Sequence, residues 1–150
     1  MRRTALPPGL RAPFDVLVLD TIGELAAVCA HATVVFVGGS LVQAGGHNII
    51  EPALYARPII VGPSMTNFAD ITRRFLDAGG LVQVADAAEA RGEVVALFGD
   101  AARRERLGRA ARGVLDRHRG AVDRTLFEIA GVMRARADVR QATAVGGGTS

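Results

Sequence analysis

The stretch Thr33-Val-Val-Phe-Val37-Gly-Gly-Ser40-Leu-Val-Gln-Ala-Gly45-Gly-His-Asn48-Ile-Ile-Glu51-Pro52 decides the fold of this chain. Its first five residues, Thr33 to Val37, form a β-branched run closed by Gly38 and Gly39, which reads as a buried strand. A loop follows from Ser40 to Gly46. Asn48 to Tyr55 then reads as a helix, with Asn48 able to cap its start.

The same alternation continues on both sides. Downstream, Pro58 to Val61 is a second buried strand, closed by Gly62 and Pro63. Asn67 to Ala78 is amphipathic, with Phe68, Ile71, Phe75 and Leu76 on one side, and Gly79 and Gly80 end it. Leu81 to Val84 is a further strand. Upstream, Val16 to Leu19 is a candidate strand and Gly23 to His31 a helix. The first 13 residues, with Pro7, Pro8 and Pro13, read as a ragged lead-in. The last third is helical: Asp86 to Phe98, Asp100 to His118 from an Asp cap, and Ala121 to Arg136 with Val122, Leu126, Ile129 and Met133 at helical spacing. Residues 137–150 are expected to form a disordered tail. Short strands alternating with helices predict an α/β fold with a parallel sheet and flanking helices.

The chain has 150 residues, enough for one domain with a sizeable core. Hydrophobic residues at 49% and charged residues at 22% exclude general disorder. The single cysteine, Cys29, excludes an intramolecular disulfide. It lies in the apolar run Leu25 to Ala30 and reads as a small buried hydrophobe rather than a nucleophile. Three histidines and one cysteine show no ligand spacing, so no metal is expected. Every cation is Arg, and seven of the 18 fall between Arg103 and Arg119. A solvated helix face is the plainer reading of that run; a basic surface beside anionic lipid or a phosphorylated substrate is the sharper one. No signal-peptide pattern follows Met1, and no apolar run has the length of a membrane span, so any membrane association is expected to be peripheral.

In parallel sheets ligands bind at the carboxyl ends of strands, and three polar segments sit there: Asp20 to Glu24, Gly38 to Asn48 and Gly62 to Asn67. The second is the strongest. N–H groups at a helix start, with the helix dipole, favour an anion. Gly45 and Gly46 would let a phosphate approach the backbone closely. Asn48 could present its amide to that phosphate, and His47 could add a contact. Glu51 shares a helix face with Asn48, and a carboxylate there can accept both hydroxyls of a ribose. On the residues alone, Asn48 and Glu51 also read as a capping pair. That reading leaves unexplained why four glycines and a His surround one strand-to-helix turn. For Asp20-Thr-Ile-Gly-Glu-Leu25, two readings fit equally: a turn offering its backbone to a base edge, or an Asp or Thr cap with Glu24 in the first turn. Gly62-Pro-Ser-Met-Thr-Asn-Phe68 reads as a Pro turn with Asn67 as a cap, or as a wall of the cleft facing a sugar.

Taken in order, these segments resemble the 3-deoxy-D-manno-octulosonic acid (Kdo) transferases. The resemblance rests on Asp-Thr-x-Gly-Glu-Leu, then Phe-Val-Gly-Gly-Ser-Leu, then Gly-Gly-His-Asn-x-x-Glu-Pro, then Gly-Pro-x-x-x-Asn-Phe. It covers Asp15 to Val84 closely and the helix start Gly120 to Arg124 less specifically. Four motifs in order are far more specific than one glycine-rich loop. The resemblance implies the C-terminal, partial Rossmann-like domain of a two-domain GT-B glycosyltransferase, spanning residues 1–136. It implies CMP-Kdo as donor substrate and a lipid A precursor as acceptor. It also implies inversion at the anomeric carbon, no cofactor, and work at the cytoplasmic face of the bacterial inner membrane. Residue by residue, Ile22, Gly23 and Glu24 would hold the cytosine through their backbone. Asn48, Ile49, Ile50 and Glu51 would hold the phosphate and ribose, beside Gly45, Gly46 and His47.

The chain departs from the family at Gln43-Ala44, where a Pro usually stiffens the loop. The family also carries an N-terminal acceptor domain with a membrane anchor and the catalytic carboxylate, then two strands and an Arg segment of the donor domain. With Val16 to Leu19 as the third strand and Thr33 to Val37 as the fourth, the sheet is expected to lack its two central strands. The expectation is therefore an N-terminally truncated chain, inactive alone, to which no catalytic base is assigned. Two other functions compete: another GT-B enzyme using a UDP-sugar, and a non-enzymatic basic module that binds nucleic acid or membrane. Nucleic acid is not expected as a partner. Asp100, Glu105 and Asp116 interrupt the Arg run, and no aromatic platform accompanies it.

Overall fold

The structure, a computed structural model, describes residues 1–7, 9 and 15–117. The chain divides into a compact unit, Met1–Leu115, and a second, Asp116–Ser150. The second lies almost wholly outside the described residues, and with it the expected helix Ala121 to Arg136 and the expected tail.

The described elements include α1 (Leu25–Cys29), β1 (Val35–Val37), α2 (Ile50–Leu54), β2 (Ile59–Val61), α3 (Ala69–Asp77), β3 (Val82–Gln83), α4 (Ala87–Gly99) and a helix α5 over 101–117. The sheet is three-stranded, parallel and ordered β1-β2-β3, with Val35 opposite Ile59 and Ile60 opposite Val82. That is the predicted α/β architecture.

The central strand shows why its sequence is apolar throughout. Successive side chains of a strand point to opposite faces, so a strand covered on both sides has no polar positions. Ile59 and Val61 join Val37, Ile49, Ala53, Met65, Phe75, Ala111 and Val114 in one core. Ile60 joins Val84, Ala90 and Leu97 in the other. All three strand residues are wholly buried, each stabilising the fold by about 1.5–3 kcal/mol. Helix α5 serves both cores, with Leu107 against one and Ala111 and Val114 in the other.

Aspartates cap the helix starts in the last third, at Asp100 as expected and at Asp86 as well. Asp86 accepts from the N–H groups of Ala88 and Glu89, and Asp100 accepts from Arg103 N–H at 2.8 Å. The Arg run is mostly occupied within the fold. Arg103 pairs with Glu93 at 2.8 Å, and Arg109 pairs with Glu105. Arg104 donates to the carbonyls of Leu97 and Phe98 at the end of α4, and Arg112 to Leu54 O at the end of α2. These roles favour the plainer reading of the run.

Two expectations fail at the N-terminus. Val16 to Leu19 is not a strand of the sheet: Val18 forms an isolated parallel bridge with Arg2. Met1 to Thr4 is not a ragged lead-in: Met1 donates to Val16 O at 2.9 Å, Val18 N–H to Met1 O at 2.7 Å and Arg3 N–H to Val18 O at 2.8 Å. The reason is that a strand's backbone groups must be paired, and here the chain's first residues pair them. Among the described residues, β1 has β2 as its one neighbour in the sheet.

Candidate functional site

Two loops leave the carboxyl ends of β1 and β2, and hydrogen bonds lace them together. Ser40, wholly buried in a 3-10 turn after β1, donates to Val37 O and accepts from Gly62 N–H at 2.6 Å. Ser64 N–H donates to Ser40 O at 2.9 Å, and Ser64 Oγ accepts from Gly45 N–H at 3.3 Å. Asn67 N–H donates to Gly45 O at 3.1 Å, and its Nδ2 to Ala44 O at 3.4 Å. Asn67 does not cap α3, whose N-cap is Phe68 without a side-chain bond; it holds the glycine loop instead.

Gly45 and Gly46 both have positive φ, at 81° and 77°, a conformation that glycine adopts at little cost. A Cβ on Gly45 would lie 2.3 Å from Asn67 Nδ2, and one on Gly46 2.3 Å from Met65 Sδ. A Cβ on Gly39 would meet the His47 ring at 2.6 Å. The space freed by these glycines is thus filled by the protein's own side chains, not left open as the sequence reading expected. Of the turn, His47 and Asn48 are exposed, whereas Gly45, Gly46 and Ile49 are buried. The N–H groups of Gly46, His47, Asn48 and Ile49 donate to no backbone carbonyl among the described residues.

Helix α2 begins at Ile50, two residues after the expected start. Asn48 Oδ1 accepts from Ile50 N–H at 2.9 Å, so Asn48 does brace the turn. Glu51 does not complete a capping pair. Its Oε2 is buried and makes no hydrogen bond. Ile49 is wholly buried in the core, backbone included, whereas Ile50 is exposed. Helix α1 packs on α2, and there burial pushes the Cys29 thiol up, with the Glu51 carboxylate adding to the effect. A buried thiol raised in this way stays protonated, as expected of a structural cysteine.

The turn before α1 is organised by its side chains. Thr21 donates to the Glu24 carboxylate, and Arg3 pairs with it at 3.0 Å. Asp20 accepts from Thr4 N–H at 3.0 Å and from Thr4 Oγ1 at 2.7 Å. Neither Asp20 nor Thr21 caps α1: its N-cap is Glu24, without a side-chain cap bond. The Thr21 hydroxyl first, then the Arg3 charge, holds Glu24 below the usual carboxylate range, and the Thr4 hydroxyl does so for Asp20. Ile22 is fully exposed and Gly23 has φ 89°, and neither backbone is hydrogen-bonded among the described residues.

Two concavities lie on this unit. One, of about 260 Å³, is bounded by Pro63, Met65, Thr72 and Gln83, next to the glycine loop. The other, of about 320 Å³, lies by Thr33, Arg57 and Pro58, before the strands begin. Neither is lined by Ile22–Glu24 or by Gly45–Glu51. Among the described residues no group of acidic, His or Cys side chains could hold a metal ion, and no helix is long and apolar enough to cross a membrane.

No family model matches the chain. Individual proteins do. Over 112 residues it is 41% identical to 3-deoxy-D-manno-octulosonic acid transferase of Bordetella pertussis, matching 75% of this chain and 26% of that protein. The enzyme of the same name from Haemophilus influenzae is 40% identical over 113 residues, with the same shares covered. The chain thus spans about a quarter of the length of these relatives. A crystal structure of the C-terminal CMP-Kdo binding domain of WaaA from Acinetobacter baumannii superposes with a TM-score of 0.62 at 36% identity, covering 66% of this chain and 52% of that one.

Proposed function

Because the chain belongs by homology to the Kdo transferase family, we propose that it forms the donor-binding part of a glycosyltransferase that takes Kdo from CMP-Kdo. The observation that carries this reading is Glu51. A buried carboxylate oxygen with no hydrogen bond costs free energy. On this reading a ribose hydroxyl supplies the missing donor once neighbouring side chains move aside to admit it. The unbonded N–H groups of the exposed His47 and Asn48 stand just before it in sequence, suited to a phosphate. The free backbone of Ile22 and Gly23 is suited to the edge of a cytosine.

On this reading the donor-binding part extends to residue 136. It positions CMP-Kdo and stabilises the departing CMP phosphate. The acceptor is a lipid A precursor, met peripherally at the cytoplasmic face of the inner membrane, and no cofactor takes part. Inversion at the anomeric carbon needs a base near the acceptor hydroxyl. On this reading no carboxylate of this chain is assigned as that base, and the chain is inactive alone.

Calorimetric titration with CMP, beside UMP and AMP, tests the proposal. CMP-selective binding that weakens about 10–100-fold in Glu51→Ala is expected, the range for hydrogen bonds to a charged group. A folded chain that binds no nucleotide, or binds all three alike, overturns it.

A further inference from the structure

The concavity of about 320 Å³ lies at the other edge of the sheet, before β1 and β2 begin, and none of the residues assigned to the donor lines it. Thr33 and Arg57 reach it from just upstream of these two strands. Ala101, Arg104 and Glu105 reach it from the first turns of α5. Two guanidinium groups therefore share one hollow.

Both cations are fixed by backbone carbonyls rather than by carboxylates. Arg57 is half-buried and donates through Nη2 to Ala30 O, just past α1. Its Nε is buried without a hydrogen bond, so water does not compensate the charge on that side. Arg104 donates through Nη1 to Leu97 O and Phe98 O. Neither forms an ion pair among the described residues. A guanidinium carries five N–H donors in a planar fork, so each keeps donors for a further acceptor. Holding both in place beforehand lowers the ordering cost of binding. The neighbouring acids are engaged elsewhere: Glu105 pairs with Arg109, and Asp100 accepts from Arg103 N–H. Thr33, exposed beside the two cations, adds a hydroxyl donor.

Two fixed guanidiniums without a carboxylate between them, joined by a hydroxyl, suit a tetrahedral oxyanion, and the Arg fork matches phosphate geometry. We infer that this concavity is a second binding site, separate from the donor site, which takes a phosphate group through Arg57, Arg104 and Thr33. The inference goes beyond the donor reading and does not rest on it. A free phosphorylated compound and the headgroup of an anionic phospholipid present the same group.

Nuclear magnetic resonance titration of the full chain tests the site. The probes are inorganic phosphate, sodium chloride at matched ionic strength, and vesicles of phosphatidylglycerol in phosphatidylcholine beside phosphatidylcholine alone. Phosphate is expected to shift the amides of Thr33, Arg57 and Glu105 where chloride does not. Arg104→Gln should weaken that response about tenfold, the loss of one charge-assisted contact. Glu105→Gln removes a like charge from the rim and should tighten the response about twofold. Glu105 is exposed, so this variant keeps the fold and separates a binding site from mere destabilisation. A response to soluble phosphate alone supports the site and identifies a free phosphorylated compound. Capture by phosphatidylglycerol vesicles that Arg104→Gln reduces supports it and identifies a headgroup. Equal shifts with chloride, shifts confined to His47 and Asn48, or an unchanged response in both variants would each overturn it.

Discussion

Asn67 occupies the space that a side chain on Gly45 would need: its Nδ2 stands 2.3 Å from an ideal Cβ there, and its N–H donates to Gly45 O at 3.1 Å. The loops after β1 and β2 are therefore one structure, and Gly45 and Gly46 of the first depend on Ser64, Met65 and Asn67 of the second.

Gly45→Ala should destabilise the chain by about 1–2 kcal/mol, the cost of a left-handed conformation for a residue with a Cβ. The contact with Asn67 would add to this unless that side chain swings away. Urea unfolding of the variant measures the loss. An unchanged midpoint would show that the turn relaxes without cost.

Ser40→Ala removes the acceptor of Gly62 N–H from a site with no access to water. A buried donor left unpaired costs about 1–3 kcal/mol, and the thermal midpoint should fall by several degrees. Ser64→Ala, whose oxygen accepts from Gly45 N–H at a longer 3.3 Å in a partly buried site, should cost less. The order of the two variants is the diagnostic result.

Gly108→Ala tests the close approach of α5 to the turn after α2. An added Cβ would lie 1.8 Å from Ala56 O, a backbone atom that cannot swing aside. Overpacking of this kind costs about 1–3 kcal/mol or more. Alanine is otherwise the better helix former by about 1 kcal/mol, so stabilisation would contradict the packing.

The contacts of Met1–Thr4 with the turn before α1 should loosen in acid. Asp20 and Glu24 are held below their ordinary values of 3.8 and 4.5 by hydrogen bonds and the Arg3 charge. A depressed carboxylate contributes stability that is present above its unfolded pKa and is lost as pH falls through the folded one. The Thr4 amide, bonded to Asp20, should be protected from exchange near pH 6 and lose that protection only below pH 3.8. Asp20→Asn should remove most of the pH dependence. Both carboxylates are exposed, so the global midpoint should move little.

The sheet and its helices were legible in the sequence because their signals are local. Ile59, Ile60 and Val61 are apolar in succession because both faces of β2 are covered, and Asp86 and Asp100 mark their helix starts by type and position. Val16 to Leu19 carries the same kind of local signal, yet a strand belongs to a sheet only when a neighbouring strand pairs with it, and Arg2 took that place. The motifs around Gly45, Asn48 and Glu51 were equally legible as a family pattern. The distances between them were not. Sequence by itself determined which residues are apolar, which can cap and which family the order of motifs belongs to. Only the tertiary structure decided that Met65 and Asn67 fill the space beside Gly46 and Gly45, that Glu51 keeps an unpaired buried oxygen, and that Ser40 is buried between two loops. Those facts depend on contacts between loops far apart in the chain, which no local spacing encodes.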